Sequence, residues 1–389
     1  MNIKNQSFWT KDFILLLISN ALLFMTFEML IPTLPLFVET IGGTPSQIGM
    51  IIGAFTISAL LIRMFSSRLM LVMNKKHILL MGVLICMLAT GSYMFSGSLI
   101  AVLIFRLIHG IGFGISSTYY ATLASEQLPH SRLGEGMGYF GVGETVCISV
   151  GPMLGIAILN KSSFNGLFIT GAAILLLSAL ILLGITPHPL EKMVLSKNKY
   201  KKKIPTKFIE KRILPQCFLI LLIGVVVSGI MSFLPLFAKQ QGIINVVWFF
   251  FIAAITGIFI RVISGKIFDQ KGPLYVLIPC GLILIIAMIL IACTKSELIL
   301  NISALFYGVA FGAIFPAVQA WIINEVEIER RENAVSLFLN FFDIGIGGGS
   351  LLLGLIVEVT SYQAMYLSLI LFIIVYLILA ACILKYKKK

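Results

Sequence analysis

The sequence predicts an all-α membrane protein with twelve transmembrane helices in two pseudo-symmetric six-helix bundles. Three observations predict it: the apolar composition, twelve apolar stretches of spanning length, and motifs that recur at a nearly constant offset. Of the 389 residues, 59% are apolar and 12% are charged, whereas soluble domains are about 45–50% apolar and about 25% charged. The composition therefore excludes an ordinary soluble enzyme.

Each apolar stretch is predicted to be a helix, because only helices and closed barrels satisfy the backbone inside a bilayer. A spanning helix needs about 20 apolar residues, and runs such as 14–18 lack the alternation of a barrel strand. In chain order the predicted spans are 13–37, 48–70, 78–97, 99–123, 138–159, 164–186, 213–238, 247–268, 274–293, 297–323, 334–357 and 362–384.

A polar, basic and proline-bounded segment separates the first six spans from the last six. The predicted domains are an N-terminal six-helix bundle over 1–186, a basic cytoplasmic linker over 187–212 and a C-terminal bundle over 213–389. The segment is interpreted as a solvated linker. Contact with anionic lipid headgroups is the alternative, since each basic residue near such a surface contributes about 1 kcal/mol.

The formal net charge of +13 is explained by topology. With both termini cytoplasmic, 23 of the 29 Lys and Arg residues lie in predicted inner loops and ends, three lie outside and three lie within spans. Basic loops stay on the cytoplasmic side, so the chain is predicted to be a multi-pass protein of the cell membrane with both termini inside. No removable signal peptide is expected, and no nucleic-acid partner.

The two halves of the chain resemble each other. Three short motifs of the first half recur in order in the second half at offsets of 198 to 200, which indicates a duplicated six-helix unit. Parallel six-span halves are a transporter architecture with substrate held near the midplane. The matched segments are 34–37 with 234–237, 63–69 with 261–267, and 110–114 with 308–312.

The loop motifs after the second and eighth spans resemble the signature of the major facilitator superfamily, in its twelve-span drug:proton antiporter branch. The second-half copy keeps the glycine and the aspartate of that motif, whereas the first-half copy has Ser67 and Leu71 in their places. The resemblance implies that this motif latches the cytoplasmic gate. The first-half copy lacks the aspartate, so it departs from the pattern that forms the latch. The gate-motif candidates are Arg63, Arg68, Arg261, Gly265 and Asp269.

Arg63 and Arg261 have a structural alternative, because both lie near predicted cytoplasmic ends. A long basic side chain snorkels from such a position to the interface.

The fifth span carries a pattern similar to the antiporter motif of the same family. Cys147 replaces one of its glycines, and the remainder of the pattern is present. Within the family this motif separates exporters from importers, so the resemblance implies export. The antiporter-motif candidates are Gly138, Cys147, Gly151, Pro152 and Gly155.

Charged residues within spans are the sharpest functional indicators, because each costs at least about 2.5–3.5 kcal/mol at mid-bilayer unless it faces protein or water. Glu144 and Asp343 each lie about ten residues into an outward-running span, and such an acid suits proton loading and release. The proton-coupling or cavity candidates are Glu28, Arg106, His109, Glu144 and Asp343.

Each of these residues also has a structural reading. A protonated acid forms a helix–helix hydrogen bond, Arg106 serves as a fixed internal counter-charge, and His109 is a satisfied core histidine. We expect protonation of Glu28, tuned by Arg106, to compete with substrate.

The sequence contains no metal-ligand spacing, no phosphate loop and no nucleophile–base pattern. We therefore expect no catalytic, metal or cofactor-binding residues, and a transporter in place of an enzyme. The predicted function is proton-coupled efflux of a small amphipathic molecule by a monomer, with the proton gradient as energy source. Export of a specific metabolite (a sugar, an amino-acid derivative or a metallophore) and proton-coupled import remain the alternatives.

Overall fold

The computed structural model describes residues 9–69, 73–129, 132–186, 212–327 and 330–387. Over these residues the chain forms twelve helices that are long and apolar enough to cross a membrane, and no strand. The helices are α1 (Lys11–Thr40), α2 (Pro45–Leu69), α3 (Lys75–Ser92), α4 (Leu99–Glu126), α5 (Leu133–Lys161), α6 (Phe164–Leu183), α7 (Leu214–Gln240), α8 (Val247–Lys271), α9 (Leu274–Ala292), α10 (Glu297–Asn324), α11 (Arg331–Val359) and α12 (Tyr362–Lys387).

Serine caps fix where three of these helices begin. The hydroxyl of Ser98 accepts a hydrogen bond from the Ala101 N–H, and Ser163 and Ser296 cap α6 and α10 in the same way. A serine in this position satisfies one of the unpaired donors of the first helical turn. The caps agree with the starts predicted at 99, 164 and 297.

Helix α7 departs from regular α-helical geometry. It contains a π-helical turn at Gly229–Phe233, between α-helical Leu214–Ser228 and Leu234–Gln240. Pro235 lacks the N–H that a regular helix places on the carbonyl four residues earlier, and the Tyr366 hydroxyl donates to the Gly229 carbonyl at 3.0 Å. The sequence analysis predicted an uninterrupted span here.

The chain divides into two compact units. Unit 1 comprises Met1–Leu30 with Ile57–Phe208, and unit 2 comprises Ile31–Thr56 with Ile209–Lys389. The end of α1 and the beginning of α2 thus pack with the C-terminal helices. The division predicted from sequence assigned these residues to the N-terminal bundle, and it stays a prediction.

Candidate functional site

Helices α1 and α5 of unit 1 pack side by side at the antiporter motif. A Cβ added at Gly151 would collide with the Glu28 Cβ, and one added at Gly155 would lie 2.9 Å from the Met29 Cα. Contact residues advance in the same direction along both helices, so the two helices are parallel. The two glycines let α5 approach the backbone of α1 where Glu28 projects, and Glu28 is only 6% exposed.

The contact of α1 with α5 at Glu28, Met29, Gly151 and Gly155 is called the α1–α5 seam below. The remaining motif residues contribute unequally to it. The Cys147 thiol donates to the Ala21 carbonyl at 3.1 Å, so the residue that replaces a motif glycine is a contact residue. Pro152 lies inside α5 and withdraws one backbone donor from it. Gly138 has open space around it and no close helix neighbour among the described residues.

The second carboxylate of the seam lies nearer the start of both helices. The Asn20 side-chain amide donates from Nδ2 to Glu144 Oε1 at 3.0 Å. Asn20 is 1% exposed, whereas Glu144 is half-buried. Glu28 lies eight residues beyond Asn20, about 12 Å along α1 at about 1.5 Å per residue. One helix seam thus holds two carboxylates at different depths.

A buried hydroxyl network fixes α1 beside this contact. Ser19 is hydrogen-bonded to the hydroxyls of Tyr120 on α4 and Ser178 on α6, the latter at 2.8 Å. The Ser178 hydroxyl also donates to the Ser19 carbonyl at 3.0 Å. Because these groups are all fully buried, the network ties α1 to α4 and α6 beside Asn20.

Arg106 and His109 belong to a second polar cluster of unit 1. Arg106 is 1% exposed, hydrogen-bonds with the Tyr93 hydroxyl, and places its Cζ 5.9 Å from the Phe27 ring centroid. The same hydroxyl lies 3.4 Å from His109 Nδ1. A guanidinium so buried requires paired and aromatic neighbours. Glu28 faces α5 at Gly151, and Arg106 of α4 lies over the adjacent Phe27, so α4 and α5 contact neighbouring residues of α1.

The corresponding seam in unit 2 has no acid on its first helix. Gly349 on α11 packs against Val225 of α7, where an added Cβ would lie 2.8 Å from the Val225 Cα. Gly349 is 198 residues after Gly151, and Val226 is 198 residues after Glu28. The acid of this half, Asp343, is half-buried on α11. The two halves thus share glycine packing and differ in where their carboxylates lie.

The gate-motif residues lie at the ends of α2 and α8. Arg63 donates from Nη2 to the Ser117 hydroxyl of α4 at 3.2 Å. Arg68 lies in the last turn of α2, and Leu71 lies outside the described residues. This hydrogen bond holds Arg63 against α4 within unit 1.

In unit 2, Arg261 is half-buried and Gly265 and Asp269 are exposed on α8. Asp269 lines a recess of about 400 Å³ at the end of α8, together with Glu325. Glu325 accepts from Trp321 Nε1 at 3.1 Å and pairs with Arg212 at 3.5 Å.

The opposite ends of the unit 2 helices carry contacts that the sequence analysis missed. Lys239 Nζ lies 2.6 Å from Glu39 Oε2, and Glu358 Oε2 accepts from the Ser46 N–H at the start of α2 at 3.0 Å. A carboxylate at a helix N-terminus satisfies unpaired donors and complements the helix dipole. The sequence shows charged residues at the predicted outer ends of these helices. It does not show which residues they contact, because the partners are some 200 to 310 residues away in sequence.

Along the same contact, α2 and α11 pack through glycines. Gly49 and Gly53 of α2 lie against Ser350 and Leu351, so closely that an added Cβ at Gly53 would lie 2.8 Å from Leu351 side-chain atoms. The Ser350 hydroxyl also donates to the Gly49 carbonyl at 3.3 Å.

The described residues include no group of three or more His, Cys, Asp and Glu side chains able to hold a metal ion. Spanning helices, acids within glycine-packed seams and internal duplication together define a membrane transporter. The chain belongs to the Major Facilitator Superfamily, whose family model matches residues 16–327 and 272–389. It is accordingly a multi-pass membrane transporter of small molecules, and membership of this family confirms the expectation that it is not an enzyme.

Two relatives with a described transport function align with nearly the whole chain. The chain is 22% identical to the staphylopine export protein of Staphylococcus aureus, with 95% of each chain covered. It is 24% identical to the multidrug resistance protein MdtG of Escherichia coli, covering 92% of this chain and 91% of the relative. Among solved structures, a variant of the nucleoside transporter NupG superposes with a TM-score of 0.78 at 16% identity, covering 95% of this chain and 99% of that one, which shows the shared fold.

Proposed function

We propose that the chain exports a small amphipathic molecule in exchange for protons, by alternating access. The observation that carries the proposal is the contact of Gly151 with Glu28, which puts the antiporter-type motif directly against a buried acid. Movement of α5 along α1 then changes the surroundings of the Glu28 carboxylate. Such a change in surroundings alters proton affinity, since burial disfavours the charged form.

In this proposal Glu28 and Glu144 carry protons, Asp343 supplies a third membrane-embedded acid, and Arg106 tunes the substrate cavity. No cofactor is required, because the proton gradient supplies the energy. The protein works as a monomer in the cell membrane with both termini cytoplasmic. Relatives described as a multidrug resistance protein and an export protein support the outward direction.

A second candidate is export of one defined metabolite. Its support is the relative described as exporting staphylopine, which aligns over 95% of this chain. Buried groups of both signs, Glu28 and Arg106, suit a zwitterionic or charged solute as well as a lipophilic cation.

Counterflow in proteoliposomes with an imposed pH gradient tests the proposal. The solutes screened are lipophilic cations, sugars and opine-type chelators. Accumulation of a solute on the acid side of the membrane supports antiport, because protons then flow in the opposite direction. Accumulation on the side toward which protons flow shows symport and overturns it.

A further inference from the structure

Asn20 is the polar residue of α1 that touches Glu144. Its amide is almost fully buried and donates to one carboxylate oxygen, while its own Oδ1 has no hydrogen-bond partner among the described residues. A buried amide oxygen without a partner is costly, and few such groups persist without a role. Asn20 directly follows Ser19, whose hydroxyl is fully hydrogen-bonded. An asparagine with an unpaired oxygen at this position therefore points to a role toward Glu144.

An asparagine amide complements both protonation states of a carboxyl group. Its NH₂ donates to the ionised carboxylate, and its carbonyl accepts from the O–H of the protonated acid. A rotation of about 180° about the last side-chain bond exchanges the two groups. The neighbouring Ser19 network meanwhile holds the α1 backbone in place. The contact therefore needs no helix movement to follow a change of protonation at Glu144.

We propose that Asn20 is a positioning residue for Glu144, holding the ionised carboxylate with its NH₂ and the protonated acid with its carbonyl. The inference deepens the proposed function, because it identifies Glu144 as a carboxyl group that changes its protonation state. Asn20 itself carries no proton and need not touch the transported molecule.

Other titratable groups lie on α5 and on the unit 1 helices that pack with it. Cys147 on α5 lies within electrostatic range of both Glu144 and Glu28. Helix α6 has no titratable residue over Phe164–Leu183. Within unit 1, the titratable residues of the two other helices are Lys11, Asp12 and Glu28 on α1, and Arg106, His109, Tyr119, Tyr120 and Glu126 on α4.

The test measures Glu144 directly, without transport. Infrared difference spectra of the full protein in lipid are recorded between about pH 4 and about pH 9, and the protonated-carboxyl band of Glu144 is identified by its loss in Glu144→Gln. In Asn20→Leu, which keeps the size and removes the amide, we expect the midpoint of this band to rise by about one pH unit, because a hydrogen bond to the ionised carboxylate is about twice as strong as one to the protonated acid. Asn20→Gln, which retains an amide, should return it part of the way.

Ser178→Ala is the matched control, because it removes one hydroxyl of the adjacent buried network, leaves the contact between the Ser19 and Tyr120 hydroxyls in place and does not touch Glu144. We expect it to lower thermal stability and leave the Glu144 midpoint unchanged. An unchanged midpoint in Asn20→Leu, an equal shift in Ser178→Ala, or a Glu144 band that does not titrate overturns the inference. Absence of proton-coupled transport in the wild-type protein would instead overturn the proposed function, so the two failures are distinct.

Discussion

Glu28 and Glu144 share one helix seam, but their surroundings differ at the level of single atoms. Glu28 is buried against the backbone of α5 at Gly151, whereas the half-buried Glu144 carboxylate is held by an amide. Both acids lie within spans, and their depth along α1 and α5 could be predicted from sequence. Asn20 could not, because α1 is apolar on all sides and its pattern does not indicate which face meets α5.

Glu28→Gln is expected to reduce proton-driven efflux to background while leaving the protein in the membrane, because the amide cannot release a proton. Efflux from energised vesicles and the amount of protein in the membrane are measured together. Glu327→Gln is the matched control, since the same change is made at an exposed carboxylate that pairs only weakly with Arg330. Unchanged efflux in Glu28→Gln would contradict the role assigned to this acid.

At the scale of elements, glycine-packed seams join α1 to α5, α7 to α11 and α2 to α11. The sequence predicted close helix approach from its glycines, but not which helices meet, because a glycine has no side chain to specify a partner. The π-helical turn of α7 was also beyond prediction. Pro35 and Pro235 occupy matching LPLF motifs, yet only the second follows a π turn.

Gly155→Ala is expected to destabilise the protein by about 1–3 kcal/mol, the usual effect of overpacking. The added methyl group meets the Met29 backbone, which cannot move aside without displacing α1. The loss is measured as a lower midpoint of thermal unfolding in detergent. Gly138→Ala, on the same helix with open space around it, should leave the midpoint unchanged, and an equal loss in both variants would contradict the packing argument.

Within unit 2, the ion pair between Glu39 and Lys239 is expected to favour the packed arrangement of the α1 end with α7. Lys239→Gln should lower the equilibrium constant for this arrangement by up to about fivefold, since exposed ion pairs contribute about 0–1 kcal/mol. Spin labels at Thr40 and Gln241 in a cysteine-free protein report the population of this arrangement. Charge reversal at both positions (Glu39→Lys with Lys239→Glu) should restore it, and failure of the single change to reduce it would contradict this role of the ion pair.

At the scale of the whole molecule, most of the architecture was predicted from the internal duplication and from the distribution of charged and apolar residues. Twelve spans, two repeated halves and the family could all be predicted, because each depends on features summed over many residues. The grouping of residues 31–56 with the C-terminal helices could not. It depends on contacts such as Glu358 with Ser46, which join distant parts of the chain.

The bias of 23 basic residues to three predicts that both termini are cytoplasmic. Alkaline phosphatase fused at Lys389 should therefore be inactive in cells, and a fluorescent protein fused there should fold and fluoresce. The matched control is a phosphatase insertion after Lys295, in a predicted outer loop, which should be active. The reverse pattern would invert the topology and with it the assignment of Glu39 and Lys239 to the outer side.

The most direct test of the central claim is the direction of proton movement when substrate alone supplies the energy. Proteoliposomes with a pH-sensitive dye inside receive a gradient of a transported solute at equal internal and external pH. Exchange predicts that the interior becomes more acidic as solute leaves and more alkaline as solute enters, and that Glu28→Gln abolishes both changes. Protons moving in the same direction as the solute, or solute moving without any change in internal pH, would contradict the account.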